Sequence, residues 1–106
     1  MTGTLSMMVG GKVTPALSAV VAPSTETWSF VDPYYQTGDL TVTPTGGTGP
    51  YTYYVERVSG SLNVFEGPQA GATFPVYCLD NNPAVIRVLV TDANSVTAYT
   101  NNVSIS

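Results

Sequence analysis

Histidine is absent, cysteine occurs once, and lysine and arginine together number 3 among 106 residues. Without histidine the chain lacks the commonest general base, the commonest metal ligand and the side chain that ordinarily titrates near neutral pH. The lone Cys78 has no internal partner, so a disulfide within the domain is excluded. Asp and Glu number 7, and the formal net charge of -4 offers no basic footprint for a phosphate backbone, which excludes a nucleic-acid partner. Charged residues make up 9%, where an average domain has roughly a quarter. This scarcity is not the mark of a membrane-spanning helix, because no apolar run approaches the roughly 20 residues that cross a bilayer. The first positive charge, Lys12, follows the apolar stretch from Leu5 to Val9, the reverse of an export leader. The expectation is a chain made and folded in the cytoplasm and then used in an assembly, with neither membrane nor nucleic acid as partner.

What is abundant is Val, Thr and Tyr, in short segments punctuated by Gly and Pro. These residues are stiff or flat and suit a pleated surface, and no stretch repeats its apolar residues at helical spacing. Short strands with regular turn signals predict an all-β sandwich of about seven antiparallel strands over residues 15–106. Residues 1–14 differ in kind. Their glycines raise the entropic cost of ordering, and they are expected to form an extended N-terminal arm.

The first strand is expected over 16–22. Leu40 and Val42 alternate inward, the glycines of 45–50 make a turn, and Tyr51, Tyr53 and Val55 share one face of the next strand. Ser61 to Phe65 is expected as a short edge. Phe74 and Val76 point inward from a strand over 72–77, with Pro75 at an edge or bulge. Ile86, Val88 and Val90 form the strongest alternation. After a turn at 92–95, Val96 and Ala98 have one parity, Val103 and Ile105 the other. Keeping both pairs in the core requires one extra residue, so a bulge is predicted at Asn101-Asn102.

Catalysis finds no constellation. Glu26, Asp32, Asp39, Glu56, Glu66, Asp80 and Asp92 show no pairing for glycoside hydrolysis. Asp39, Asp80 and Asp92 adjoin turns, where Asp caps its own backbone, and Glu56 neighbours Arg57 on an exposed strand face. Serine and threonine have no histidine to activate them, and Cys78 reads as a small buried hydrophobe. The 46–50 turn lacks the Lys-Ser/Thr ending of a phosphate loop. Asp80-Asn81-Asn82 and Asp92-Ala93-Asn94 offer oxygen donors for calcium, yet the same residues are turn formers. No enzyme activity, cofactor or metal site is expected.

Contact surfaces are the better prospect. Tyr54, Val85, Leu89 and Tyr99 lie off the core face and give one sheet an outer surface poor in charge, suited to burial against a partner because few ions need desolvating. Leu5, Met7, Met8 and Val9 would supply a second contact through the arm, hinged at Gly10-Gly11, and two linked contacts raise avidity. Trp28, Tyr34 and Tyr35 are candidates for weak glycan contact, as are the loops 46–50 and 67–71.

The run from Thr41 to Tyr53 (Thr-Val-Thr-Pro-Thr-Gly-Gly-Thr-Gly-Pro-Tyr-Thr-Tyr), then Glu56-Arg57-Val58-Ser59-Gly60, then Val88-Leu89-Val90-Thr91-Asp92-Ala93, resembles the Ig-like domain of tailed-bacteriophage virion proteins. Related Ig- and PKD-like repeats occur in bacterial adhesins. The resemblance spans about residues 16 to 106 and implies an immunoglobulin-like β-sandwich. Where that family has a core Trp and a Cys, this chain has Val55 and Val88. Trp28, Tyr34 or Tyr35 is expected to fill the vacated volume, with 26–36 as an elaboration capping the core.

By analogy the chain is a virion protein, and its own initial Met suggests a free-standing copy. The expected role is capsid decoration, on the major capsid protein lattice (or a tail protein), with homo-oligomers in prospect. The alternative is a tail, fibre or adhesin module that grips host-surface glycans.

Overall fold

A computed structural model describes residues 7–9, 12–65, 69 and 71–106, with side chains from residue 15 onward except at position 65. The described chain is all β. Its strands are β1 (Met7–Val9), β2 (Lys12–Thr14), β3 (Ser18–Ala22), β4 (Thr25–Glu26), β5 (Ser29–Val31), β6 (Tyr34–Gln36) and β7 (Leu40–Thr45). There follow β8 (Thr52–Gly60), β9 (Val64–Phe65), β10 (Thr73–Phe74), β11 (Tyr77–Cys78), β12 (Ala84–Thr91), β13 (Thr97–Tyr99) and β14 (Val103–Ile105).

One sheet has the order β10-β7-β3. A second is built around β12, which pairs with β8 on one side and with both β13 and β14 on the other. β4 extends this second sheet, parallel to β14. The two sheets face each other across one apolar cluster: Val21, Leu40, Val42 and Phe74 from the first, and Tyr53, Val55, Ile86, Val88, Val90, Val103 and Ile105 from the second. β12 shows why. Its period-two alternation of apolar residues becomes a strict alternation of buried and half-buried positions along the strand, as a sheet wetted on one face demands.

The bulge is where parity put it. β13 pairs with β12 in one register (Leu89↔Tyr99, Val90↔Ala98) and β14 in a register one residue removed (Ile86↔Val103, Ala84↔Ile105). Thr100 still meets Val88, donating its N–H to Val88 O at 2.9 Å and accepting Val88 N–H on its hydroxyl at 2.9 Å. Asn101 and Asn102 then share the space beyond. The extra residue is used. Asn101 Oδ1 accepts Val21 N–H at 2.9 Å and its Nδ2 donates to Val21 O at 3.1 Å, so one amide closes the free edge of β3 and ties the two sheets together.

Several expectations change. The first strand starts at Ser18, not Ala16. Within the arm the backbone of β1 pairs antiparallel with that of β2, Met7↔Thr14 to Val9↔Lys12. Leu5, the side chains of Met7, Met8 and Val9, and most of the 67–71 loop lie outside the described residues. The strand expected over 72–77 divides at Pro75. β10 belongs to the first sheet, while β11 joins a third, ordered β5-β6-β11-β9; proline cannot donate to either ladder.

Val96 is 49% exposed, not a core residue. Asp92 Oδ1 accepts the N–H groups of Asn94 (2.8 Å) and Val96 (2.9 Å), and this cap turns Val96 away before the strand resumes. Within the same turn Ser95 has φ 65°, a conformation costly for an L side chain. Ser95→Gly is expected to raise stability by about 0.5–1 kcal/mol, read as a higher melting temperature.

Candidate interaction surface

The outer face of the second sheet gathers the predicted contact residues in register. Leu89 on β12 lies opposite Tyr54 on β8 and Tyr99 on β13, making one row of three across the sheet. Tyr54 is 44% and Tyr99 46% exposed, while Leu89 is half-buried between them. Neighbours this close on one face pack against each other, so the row presents two phenol rings about an aliphatic floor.

The next row carries the face's charges. Arg87 lies opposite Glu56 and donates to Glu56 Oε1 from Nε at 3.0 Å and from a terminal nitrogen at 2.6 Å. The Tyr99 hydroxyl donates to Glu56 Oε2 at 3.2 Å, and the Arg87 guanidinium stacks 3.6 Å above the Tyr99 ring centroid. The Glu56 hydrogen bonds, foremost, push the Arg87 pKa further up, against partial desolvation. Glu56 therefore pairs across the strands with Arg87, while its chain neighbour Arg57 lies on the other face. Adjacent residues on a strand point to opposite faces. The two charges neutralise each other within the face, and a partner covering it meets no unpaired ion.

A third row, Ser59, Val85, Ser104 and Thr25, crosses β8, β12, β14 and β4. These side chains are short, and the face dips into an open trough of about 730 Å³, also lined by Thr27 and Ser106. Val85 is thus placed in the trough and not beside the tyrosine row.

Trp28, Tyr34 and Tyr35 do not converge. Trp28 packs half-buried against the core, and its indole N–H donates to Asn82 O at 2.9 Å. Of the residues expected to fill the volume left at Val55, Trp28 is the one that packs on the core cluster. Tyr34 and Tyr35 are neighbours on β6 and face opposite ways. Tyr34 stacks edge-on to Tyr77 and Tyr35 to Phe30, each at 5.1 Å between ring centroids.

Sequence reading missed a polar cluster around Cys78. The Ser61 hydroxyl donates to Asp80 Oδ1 at 2.8 Å, the Asn63 amide donates to Asp80 Oδ2, and Asn82 N–H donates to Oδ1 at 3.0 Å. The buried Cys78 thiol lies 3.4 Å from both Ser61 Oγ and Asp80 Oδ1. Asn63 foremost, then Asn82 and Ser61, lower the Asp80 pKa from 3.8 to about 2. Only the turn-forming Asp80-Asn81-Asn82 hinted at it. The carboxyl titrates lower folded than unfolded, so its contribution to stability is complete above the unfolded value near 3.8. It disappears as pH falls towards about 2. Melting temperature is expected to drop across that window in the unaltered chain, and Asp80→Asn to remove this share of the drop while lowering stability at pH 6.

At the far end of the sandwich, burial of Asp92 opposes its charge, but the backbone N–H groups of Val96, Thr48 and Asn94 outweigh it and hold the pKa below the ordinary 3.8. Both aspartates are engaged as caps. Among the described residues no three His, Cys, Asp or Glu side chains gather to hold a metal, and no helix is long and apolar enough to cross a membrane. No family model, curated protein or solved structure matches this chain.

Proposed function

We propose that this chain is a non-enzymatic structural protein of a phage virion, an Ig-like sandwich that decorates the outside of the assembled head. Its contact surface is the outer face of the second sheet. The observation that carries the reading is that face itself: a Tyr54-Leu89-Tyr99 row beside a self-neutralised Glu56-Arg87 pair, on a chain otherwise acidic and poor in charge. Desolvating such a surface costs little, and aromatic side chains with polar tips suit a protein contact.

The strand order supports the fold half of the reading. β3, β7 and β10 make one sheet, β8, β12 and the β13–β14 pair the other, and β4 crosses over to lie parallel to the last strand. Two facing sheets with a strand that crosses between them are compatible with an immunoglobulin-type sandwich. The resemblance of the Thr41–Tyr53 and Val88–Ala93 segments to phage virion Ig-like domains supports the location. On a shell offering many equivalent sites, burial of this face across subunit boundaries would brace the head, since separating subunits would also break decoration contacts.

The test is an image of purified particles assembled with and without the chain. Regularly spaced extra density on the head supports the reading, and identical heads would end it. The rival, a tail- or adhesin-type module gripping glycans, rests on Trp28, Tyr34 and Tyr35, which share no common platform. A strong, selective hit on a glycan array would favour it.

A further inference from the structure

The Glu56–Arg87 pair on the outer face of the second sheet is balanced in charge but not complete in hydrogen bonds. A guanidinium carries five N–H groups and no acceptor. Two of those on Arg87 go to Glu56 Oε1, and the Tyr99 hydroxyl lies near enough to engage a third. Glu56 Oε2 faces Tyr99 instead, accepting from its hydroxyl at 3.2 Å. At least two N–H groups of Arg87 remain with no acceptor among the described residues. Covalent geometry places them. Nε and one terminal nitrogen form the edge that meets Glu56, and one flat side of the group lies 3.6 Å above the Tyr99 ring centroid. The open N–H groups therefore lie on the edge turned away from Glu56. The Arg87 side chain is 35% exposed, so water serves them in the free chain. The edge is also preset, because the Glu56 bonds and the ring hold it and leave little rotamer freedom to lose on binding.

We propose, resting on that face being the head contact, that Arg87 is its polar anchor and that the partner meets it with main-chain carbonyl oxygens of an exposed loop or strand edge. Arg87 stands in the row beside Tyr54, Leu89 and Tyr99, roughly 7 Å away along the strand, so a partner seated on the tyrosine row covers it too. A partner without acceptors would bury the open N–H groups unpaired, which costs more than a made bond returns. Acceptors are therefore required, and Glu56 decides their charge. It has already balanced the guanidinium, and a carboxylate brought against the pair would add an unbalanced negative charge to a chain whose net charge is -4. A carbonyl oxygen has two lone pairs for the two N–H groups and brings no charge to desolvate.

Binding of the full chain to purified heads tests this, measured for the unaltered chain, Arg87→Lys and Glu56→Gln from about 0.05 to about 0.5 M salt. The dissociation constant of the unaltered chain should shift by less than about threefold across that range, because a contact between neutral groups is little screened. Arg87→Lys keeps a cation beside Glu56 but loses the second edge. It should weaken binding at least about tenfold, with the melting temperature within a few degrees of the unaltered chain. Glu56→Gln leaves the cation unbalanced against a neutral acceptor and should weaken binding about threefold or more. Arg87→Lys binding as well as the unaltered chain overturns the anchor while the head contact stands. Glu56→Gln binding more tightly, or a steep loss of unaltered binding with salt, shows a carboxylate opposite Arg87 and overturns the carbonyl. No binding of the unaltered chain at any salt removes the head contact itself, and the anchor with it.

Discussion

Asn101→Ala is expected to cost about 1–3 kcal/mol, roughly 5–20 °C in melting temperature for a domain of this size. The amide occupies the extra position of the bulge and satisfies both the N–H and the C=O of Val21, a residue 3% exposed. Truncation removes both bonds, each worth about 0.5–1.5 kcal/mol net, and because Asn101 is exposed water reaches part of the space it vacates. Asn101→Asp separates the two halves of the clasp. Its carboxylate can still accept from Val21 N–H but sets a second acceptor against Val21 O. The N101D chain should therefore be less stable than the unaltered one at pH 7 and should regain part of the loss once the variant carboxyl is protonated and can donate to Val21 O. An N101A chain melting within a few degrees of the unaltered one would show that the bulge holds the sheets without the amide.

Leu89→Lys is expected to reduce occupancy on purified heads at least tenfold with the fold intact. Leu89 sits at the centre of the Tyr54-Leu89-Tyr99 row, and residues at the middle of a contact, ringed by others that exclude water, carry most of its energy; removing about 1.4 kcal/mol already gives a factor of ten. A lysine there also places an unpaired cation in a face whose existing charges cancel. The position is half-buried on the outer face and its side chain does not reach the core, so the melting temperature should fall by only a few degrees. Arg57→Ser, at an exposed position off the tyrosine row, is the matched control and should decorate normally. Equal binding of both variants would remove the sheet face from the proposed function and leave the arm as the remaining contact.

The legible parts of this sequence were those that follow from a period of two. Ile86, Val88 and Val90 had to share a face, Leu40 and Val42 likewise, and the opposed parities of Ala98 and Val103 demanded one inserted residue. Parity alone could not see Val96, because the Asp92 cap intervenes before regular alternation begins. The third sheet was illegible for a different reason. Its strands are two or three residues long, and β6, β11 and β9 meet only because segments far apart in sequence converge, so local pattern carries no trace of the pairing. The same holds for Asn101 and Val21, eighty positions apart, and for the Ser61-Asn63-Asp80 cluster. The contact candidates fared unevenly. Tyr54, Leu89 and Tyr99 fell into one row because side-chain direction is set by parity. Val85 fell into the trough because its cross-strand neighbours are serines, which only the register reveals.

β4 lies parallel to β14, and the strands are joined by Ser104 N–H to Ser24 O at 2.9 Å, Ser106 N–H to Glu26 O at 3.0 Å and Trp28 N–H to Ser106 O at 2.9 Å. Force drawing β4 and β14 in opposite directions along their length would shear the two strands past each other, loading all three bonds at once. In an antiparallel hairpin pulled from its two open ends the bonds would instead give way one after another. Force along this pair would thus be met by three bonds acting together.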